Sequence, residues 1–212
     1  MANTNQVDQL NDVYSAQSVD QIAKTYDDWA ADYDSSMLQA GYRHPMICVG
    51  LLTRHVPAHA GGVLDAGQGT GLVGEWLKIL GYKEVFGCDV SQGMLDRAEQ
   101  RGVYDDLQKA ALGGEPLPYP DARFAACVCA GVFTIGHADP HGLDDLLRVV
   151  RKGGHIITTV KDKLWDSGFK DHLEQLVKDG RCHVIETTPS YLSMPNQEGQ
   201  STSRALVLQV VG

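Results

Sequence analysis

The chain has 212 residues, 43% of them hydrophobic, which suffices for one sizeable α/β domain and falls short of two. A net charge of −9 and a pI near 5.2 argue against a general nucleic-acid binder, because phosphate needs a basic footprint. No apolar run approaches the roughly 18 residues of a membrane span, and the opening MANTNQVDQLNDVYS has no signal-peptide core.

Residues 1–17 are polar and are expected to form a flexible N-terminus. From Ser18 a helical pattern begins. Ile22, Tyr26, Trp29, Tyr33 and Met37 recur at intervals of four, three, four and four, which is one face of a helix. Asp27, Asp28 and Asp32 occupy other faces. A second helix is expected over residues 45–55. Neither helix belongs to a β-α-β unit, so residues 18–60 are expected to cap a core spanning 61–212, with 18–212 forming a single domain.

After Gly62 strands and helices alternate. Val63-Leu64-Asp65-Ala66 predicts a first strand and residues 71–80 a helix. Residues 84–89 predict a second strand, and Ser91 is a good N-cap for the helix carrying Met94, Leu95 and Ala98. Residues 107–112 form a weak third strand. Residues 124–130 are uncharged and continuous, as expected of a central parallel strand covered on both faces. A helix over 143–150, stopped by Gly153-Gly154, precedes a fifth strand at 155–160 and a helix at 169–178. Residues 182–193 and 202–211 are strand candidates separated only by the turn-rich MPNQEGQ, so an antiparallel hairpin is expected.

The five cysteines, Cys48, Cys88, Cys127, Cys129 and Cys182, form no C-x-x-C. Cys127 and Cys129 are two apart in an apolar strand and point to one side. They are expected to be buried free thiols, which suits a reducing cytoplasm.

The glycine-rich stretch VLDAGQGTGLVGEW admits two frames. Gly69-x-Gly71-x-x-Gly74 is a literal dinucleotide fingerprint. Asp65-x-Gly67-x-Gly69-x-Gly71 suggests S-adenosylmethionine. The first frame pushes Asp65, Gly67 and Gln68 into the strand or its exit, where glycine is poor and a charge needs a reason. The second ends the strand at Asp65 and uses Gly67, Gly69 and Gly71 for the turn. Asp89, at the end of the second strand, serves ribose hydroxyls in either frame. The terminal hairpin favours the second, since a dinucleotide fold continues with parallel units.

The motifs "VLDAGQGTG", "VFGCDVSQGMLDRA", "PLPYPDARFAACVCAGV" and "LLRVVRKGGHIITTV" resemble those of class I S-adenosylmethionine-dependent methyltransferases over roughly residues 20–212. Further stretches, "TYDDWAADYD", "GYRHP", "GTGLVGEWL", "ALGGEPLP" and "GVFTIGHADP", are similar to the Williams–Beuren-region methyltransferase-like subfamily. The resemblance implies a Rossmann-like α/β fold. Its seven-stranded, mainly parallel sheet has order 3-2-1-4-5-7-6 and helices on both faces.

It also implies site roles. Gly67 and Gly69 let the backbone approach the cofactor's amino-acid part, beside Gln68, and Asp65 orients its amino group. Asp89, next to Val90, accepts from the ribose diol. Met94, Ala111 and Leu112 flank the adenine. Gly131 and Val132 lie under the ribose and sulfonium. Gln68 and Ala111 depart from the family pattern, where a small residue and an acidic residue are common. Tyr26 and Tyr33 can line the pocket, an aromatic face being attractive to a sulfonium. His137, just past the fourth strand, is the candidate general base, with a loop-ordering histidine as the alternative. His137-x-Asp139-x-His141 has the look of a ligand cluster, but no further ligands group with it and no metal is expected.

The implied activity is methyl transfer from S-adenosylmethionine to an unidentified small-molecule acceptor, with S-adenosylhomocysteine as product. A protein substrate or partner stays open. The alternative is a cofactor-binding protein without transferase activity, acting through a partner.

Overall fold

The segment FAACVCAGVF explains the architecture best. It carries no charge, is buried along most of its length, and forms a ten-residue strand, Phe124–Phe133. In the computed structural model, which describes residues 18–134, 136–197, 199 and 202–212, this strand is β4. It pairs in parallel with β1 (Val63–Ala66) on one side and β5 (Val150–Lys161) on the other. β2 (Val85–Asp89) and β3 (Asp106–Lys109) extend the parallel sheet beyond β1. β8 (Thr202–Val210) runs antiparallel to both β5 and β6 (Cys182–Thr187). The order is β3-β2-β1-β4-β5-β8-β6, with a two-residue β7 (Tyr191–Leu192) also paired to β8. Apart from β7, this is the order the resemblance implied. The expected flexible N-terminus, residues 1–17, lies outside the described residues.

Alternation along the strands feeds two cores. Leu64, Cys127, Cys129, Ile156 and Leu208 face one side, against Leu143, Leu146 and Phe169. Val63, Ala126, Val128, Ile157 and Val207 face the other, against Cys48, Leu51, Leu52 and Leu77. Full burial of each such aliphatic side chain is worth roughly 1.5–3 kcal/mol. All five cysteines are buried free thiols. Among the described residues no helix is long and apolar enough to cross a membrane.

Three expectations change. The apolar stripe from Ile22 to Met37 is two helices, α1 (Val19–Trp29) and α2 (Tyr33–Ala40). The break lets Tyr33 stand edge-on to Trp29, with ring centroids 4.9 Å apart, while the buried indole N–H donates to Ser36 Oγ at 3.3 Å. Next, α3 (His44–His55) packs as a layer of the core, contributing fully buried Cys48 and Leu52, rather than sharing a cap with α1 and α2. Last, Gly153 and Gly154 do not stop a helix. The α-helix Gly142–Val149 ends at the start of β5, and the glycines lie within that strand, where pairing shifts between Phe124/Val150 and Ala126/His155. Gly153 has φ +76°, and a Cβ on Gly154 would come 2.7 Å from the Ala125 carbonyl oxygen. The pair therefore permits a bulge.

Candidate cofactor and acceptor site

The strand β1 delivers Asp65 to the carboxyl edge of the sheet, and the chain then turns at Gly67 with φ +70°. A Cβ there would sit 2.3 Å from Val132 Cγ2, so only glycine permits this approach. The turn is tied to β2: Gly67 N–H donates to the Cys88 carbonyl at 2.7 Å, and Gly69 N–H to Asp89 Oδ2 at 3.0 Å. Asp89 Oδ1 accepts from Ser91 N–H at 2.9 Å. Burial raises the Asp89 carboxyl, while the backbone N–H groups of Ser91, Gly69 and Val90 work against that rise. Each carboxylate oxygen keeps acceptor capacity for a diol.

Twelve of the residues named from sequence line one cavity of about 790 Å³, its open mouth included. They are Tyr26, Tyr33, Gly67, Gly69, Asp89, Val90, Met94, Ala111, Leu112, Gly131, Val132 and His137. Asp65 and Gln68 do not line it. They line a smaller adjoining space of about 310 Å³ that shares Gly67 and Gly69 as its wall. Asp65 Oδ2 accepts from the Tyr104 hydroxyl at 2.7 Å. Asp65 Oδ1 is buried with no hydrogen bond among the described residues. Burial, with the nearby Asp89 charge adding to it, pushes the Asp65 carboxyl up to about 7 against the pull of the Tyr104 bond. Gln68 folds onto its own loop, its amide nitrogen donating to the Gly69 carbonyl at 3.1 Å.

S-adenosylmethionine fits these residues. The glycine turn leaves room where a Cβ would intrude, Asp65 Oδ1 is a buried acceptor suited to an ammonium group, and Asp89 suits a ribose diol.

Helices α1 and α2 close over the cavity through polar ties at three places. The Tyr26 hydroxyl lies 2.9 Å from His137 Nε2. Asp27 Oδ1 accepts from Ser91 Oγ at 2.6 Å and from Gly93 N–H at 2.8 Å, at the N-terminus of the helix Gln92–Arg101, where negative charge is favoured. Burial acts to raise the Asp27 carboxyl, but these bonds and the Lys109 charge outweigh it and hold it below the usual range. Asp34 accepts from Thr70 Oγ1 at 2.5 Å and pairs with Arg101.

Beyond Tyr26, Tyr33, Tyr42, Gly131 and His137, which line both spaces, lies a second chamber of about 430 Å³. Its far walls include Met37, His44, Thr159, Lys161 and Met194. His44 Nδ1 lies 2.8 Å from the Tyr191 hydroxyl. Burial, reinforced by the Lys161 charge, pushes the His44 imidazole down to about 3, so it is neutral.

The sequence reading passed over Tyr104, Asp27, Asp34, Tyr42 and Lys161. For Tyr104 a signal existed. Gly74 inside a helix and Gly87 inside a strand are unfavourable there, and a Cβ at either would come within 3.1 Å of the Tyr104 ring. The histidine spacing also resolves differently. His137 faces Tyr26, whereas His141 groups with Asp144 and His172, and Asp144 is also paired with Arg181.

The family model described as a methyltransferase domain matches residues 64–158. The chain is 35% identical over 151 residues to human methyltransferase-like protein 27, covering 70% of this chain and 61% of that protein. It is 32% identical over 174 residues to the malonyl-[acyl-carrier protein] O-methyltransferase of Yersinia pestis, covering 79% of this chain and 60% of that one. The chain thus spans about three fifths of the length of these curated relatives. Among solved structures, a Haloferax volcanii methyltransferase in complex with its Trm112 activator superposes with a TM-score of 0.64 at 18% identity, over 88% of this chain and 98% of that one. With this domain match, these relatives and the glycine-turn cavity at the sheet's carboxyl edge, the chain belongs to the class I S-adenosylmethionine-dependent methyltransferases.

Proposed function

We propose that the protein transfers the methyl group of S-adenosylmethionine to a small-molecule acceptor. The observation that carries this reading is the pair of adjoining spaces. The first is ringed by the glycine turn, Asp89, Met94, Ala111 and Leu112, and the second lies beyond a shared wall of Tyr26, Tyr33, Tyr42 and His137.

The cofactor, when bound, supplies an activated methyl group on a sulfonium. The chain's own residues then bind, align and exclude water. Asp89 accepts from the ribose diol, Asp65 orients the amino group, and Gly131 and Val132 support the ribose and sulfonium side. Tyr26 and Tyr33 offer aromatic faces to the cation. Alignment of two reactants in a dry site can remove about 7–11 kcal/mol of barrier. His137 serves as base where the acceptor carries a proton, which goes to Nε2 once the Tyr26 hydroxyl gives up that position. We read α1 and α2 as a lid over both spaces. The five buried thiols suit a reducing cytoplasm.

Calorimetric titration tests the reading. S-adenosylmethionine and S-adenosylhomocysteine are expected to saturate one site, and NAD(H) is expected not to bind. Binding of NAD(H) alone would overturn it. The Haloferax neighbour is in complex with an activator protein, and a protein partner here would appear as turnover that the purified chain lacks.

A further inference from the structure

The loop that carries His137 runs into a group of metal-ligating side chains that line neither the cofactor cavity nor the second chamber. His141 stands at the start of the helix Gly142–Val149, Asp144 lies in its first turn, and His172 comes from the helix Lys170–Lys178. His172 Nε2 lies 2.9 Å from Asp144 Oδ2, and His141 Nδ1 lies 3.7 Å from the same oxygen. The two imidazole rings meet edge-on, with centroids 4.4 Å apart. One ligand atom from each of the three residues falls within 4.8 Å of the others. Arg181 holds Asp144 by the other oxygen, Oδ1, so Oδ2 is the oxygen that both histidines share.

We infer that His141, Asp144 and His172 form a surface site for one divalent late-transition cation of the zinc type. Two imidazoles and one carboxylate are the donors such an ion prefers, whereas Mg²⁺ and Ca²⁺ take oxygen ligands. Ligand bonds of about 2.0–2.2 Å place neighbouring donors of a tetrahedron roughly 3.3–3.5 Å apart. The observed 2.9 Å and 3.7 Å bracket that spacing, so small side-chain shifts admit the ion between them. The group has three members among the described residues, and water completes the tetrahedron. Arg181 fixes the carboxylate as an outer partner does for a metal ligand. Its charge and the positive end of the helix oppose a cation, so the site is weaker than a closed four-ligand one. An ion here ties the His137 loop to the helix Lys170–Lys178, two segments joined locally only by side chains.

The test uses the full chain, treated with a chelator and dialysed. Zn²⁺ is titrated calorimetrically, with Co²⁺ as the spectroscopic probe and Mg²⁺ as the contrast. One equivalent of Zn²⁺ is expected to bind, to raise the thermal melt and to slow amide exchange over residues 137–144. Co²⁺ should give the visible bands of a tetrahedral site, and Mg²⁺ should not compete. The His141 side chain is 72% exposed, so His141→Ala keeps the fold. It should weaken Zn²⁺ binding at least about 10- to 100-fold, the loss that even an outer partner's removal brings. His172→Ala should do the same, with metal-free melts reporting folding. His155→Ala removes a ring of the separate pair that His55 and His155 make near Glu186, and should leave binding unchanged. No Zn²⁺ binding, binding that survives His141→Ala and His172→Ala, loss with His155→Ala, or competition by Mg²⁺ overturns the inference. Binding with unchanged exchange over residues 137–144 overturns the tie to the His137 loop.

Discussion

The Tyr26 hydroxyl sits 2.9 Å from His137 Nε2, joining the first helix to the loop after β4 on the wall of both chambers. This tyrosine of the shared wall and the candidate base are therefore one unit, and the consequences of breaking it can be separated.

Tyr26→Phe removes this bond and keeps the ring. A net hydrogen bond is worth about 0.5–1.5 kcal/mol, so amide exchange over residues 18–40 should accelerate by roughly 2- to 13-fold. In wild type, S-adenosylhomocysteine should slow exchange over the same residues. Identical exchange with and without the cofactor product would make α1 and α2 a fixed layer and not a lid.

His137→Ala is expected to lower turnover by about 10²–10⁴-fold if the acceptor must lose a proton, with cofactor affinity nearly unchanged. Because this variant also removes the Tyr26–His137 bond, exchange over residues 18–40 should rise as in Tyr26→Phe. Comparing the two variants isolates base chemistry. If Tyr26→Phe costs as much turnover as His137→Ala, the histidine braces the lid and is no base.

Asp89→Ala should weaken S-adenosylhomocysteine binding about 10- to 100-fold, the worth of charge-assisted bonds. The fold is also expected to lose stability. Asp89 holds Gly69 N–H and Ser91 N–H, and both donors are left without it. Calorimetry and a thermal melt on the same sample read the two effects. Unchanged affinity alongside a lowered melt would assign Asp89 to the turn alone.

Asp65 sets a pH dependence. Burial raises its folded pKa from 3.8 to about 7, so between those values the folded chain holds a proton that the unfolded chain has released. Stability from this group is therefore present below the unfolded pKa and is lost as pH rises toward 7, by an amount on the order of a few kcal/mol. Asp65→Asn lacks this slope. Denaturant titrations at intervals from pH 4 to 7 should show the variant gaining on wild type as pH rises. Parallel curves would mean the Asp65 carboxyl is solvated. Pairing with the cofactor's ammonium group should draw the pKa down, so binding near pH 6 should release protons, which calorimetry in buffers of different ionisation enthalpy detects.

Much of this protein is local in origin and was readable from the chain. The first strand, Val63–Ala66, agrees with its sequence reading residue for residue, because four apolar-rich residues followed by Gly67 and Gly69 allow little else. Ser91 caps the helix after β2 as its side chain dictates, accepting from Met94 N–H at 3.0 Å. Most residues that line the larger cavity were named from the chain for the same reason, since backbone turns and strand ends carry many of them. Tertiary structure decided what side chains from distant segments do together. Asp27 and Asp34 look like ordinary solvated charges on a helix until α1 and α2 are laid across Ser91, Thr70 and Arg101. Gly153 and Gly154 fit a helix stop until the partner strand demands a bulge. Lys161 and His44, 117 positions apart in the chain, become neighbours only when β5 and α3 pack together. Turn chemistry and periodicity are written over a few residues, whereas burial and electrostatic environment are properties of the assembled fold.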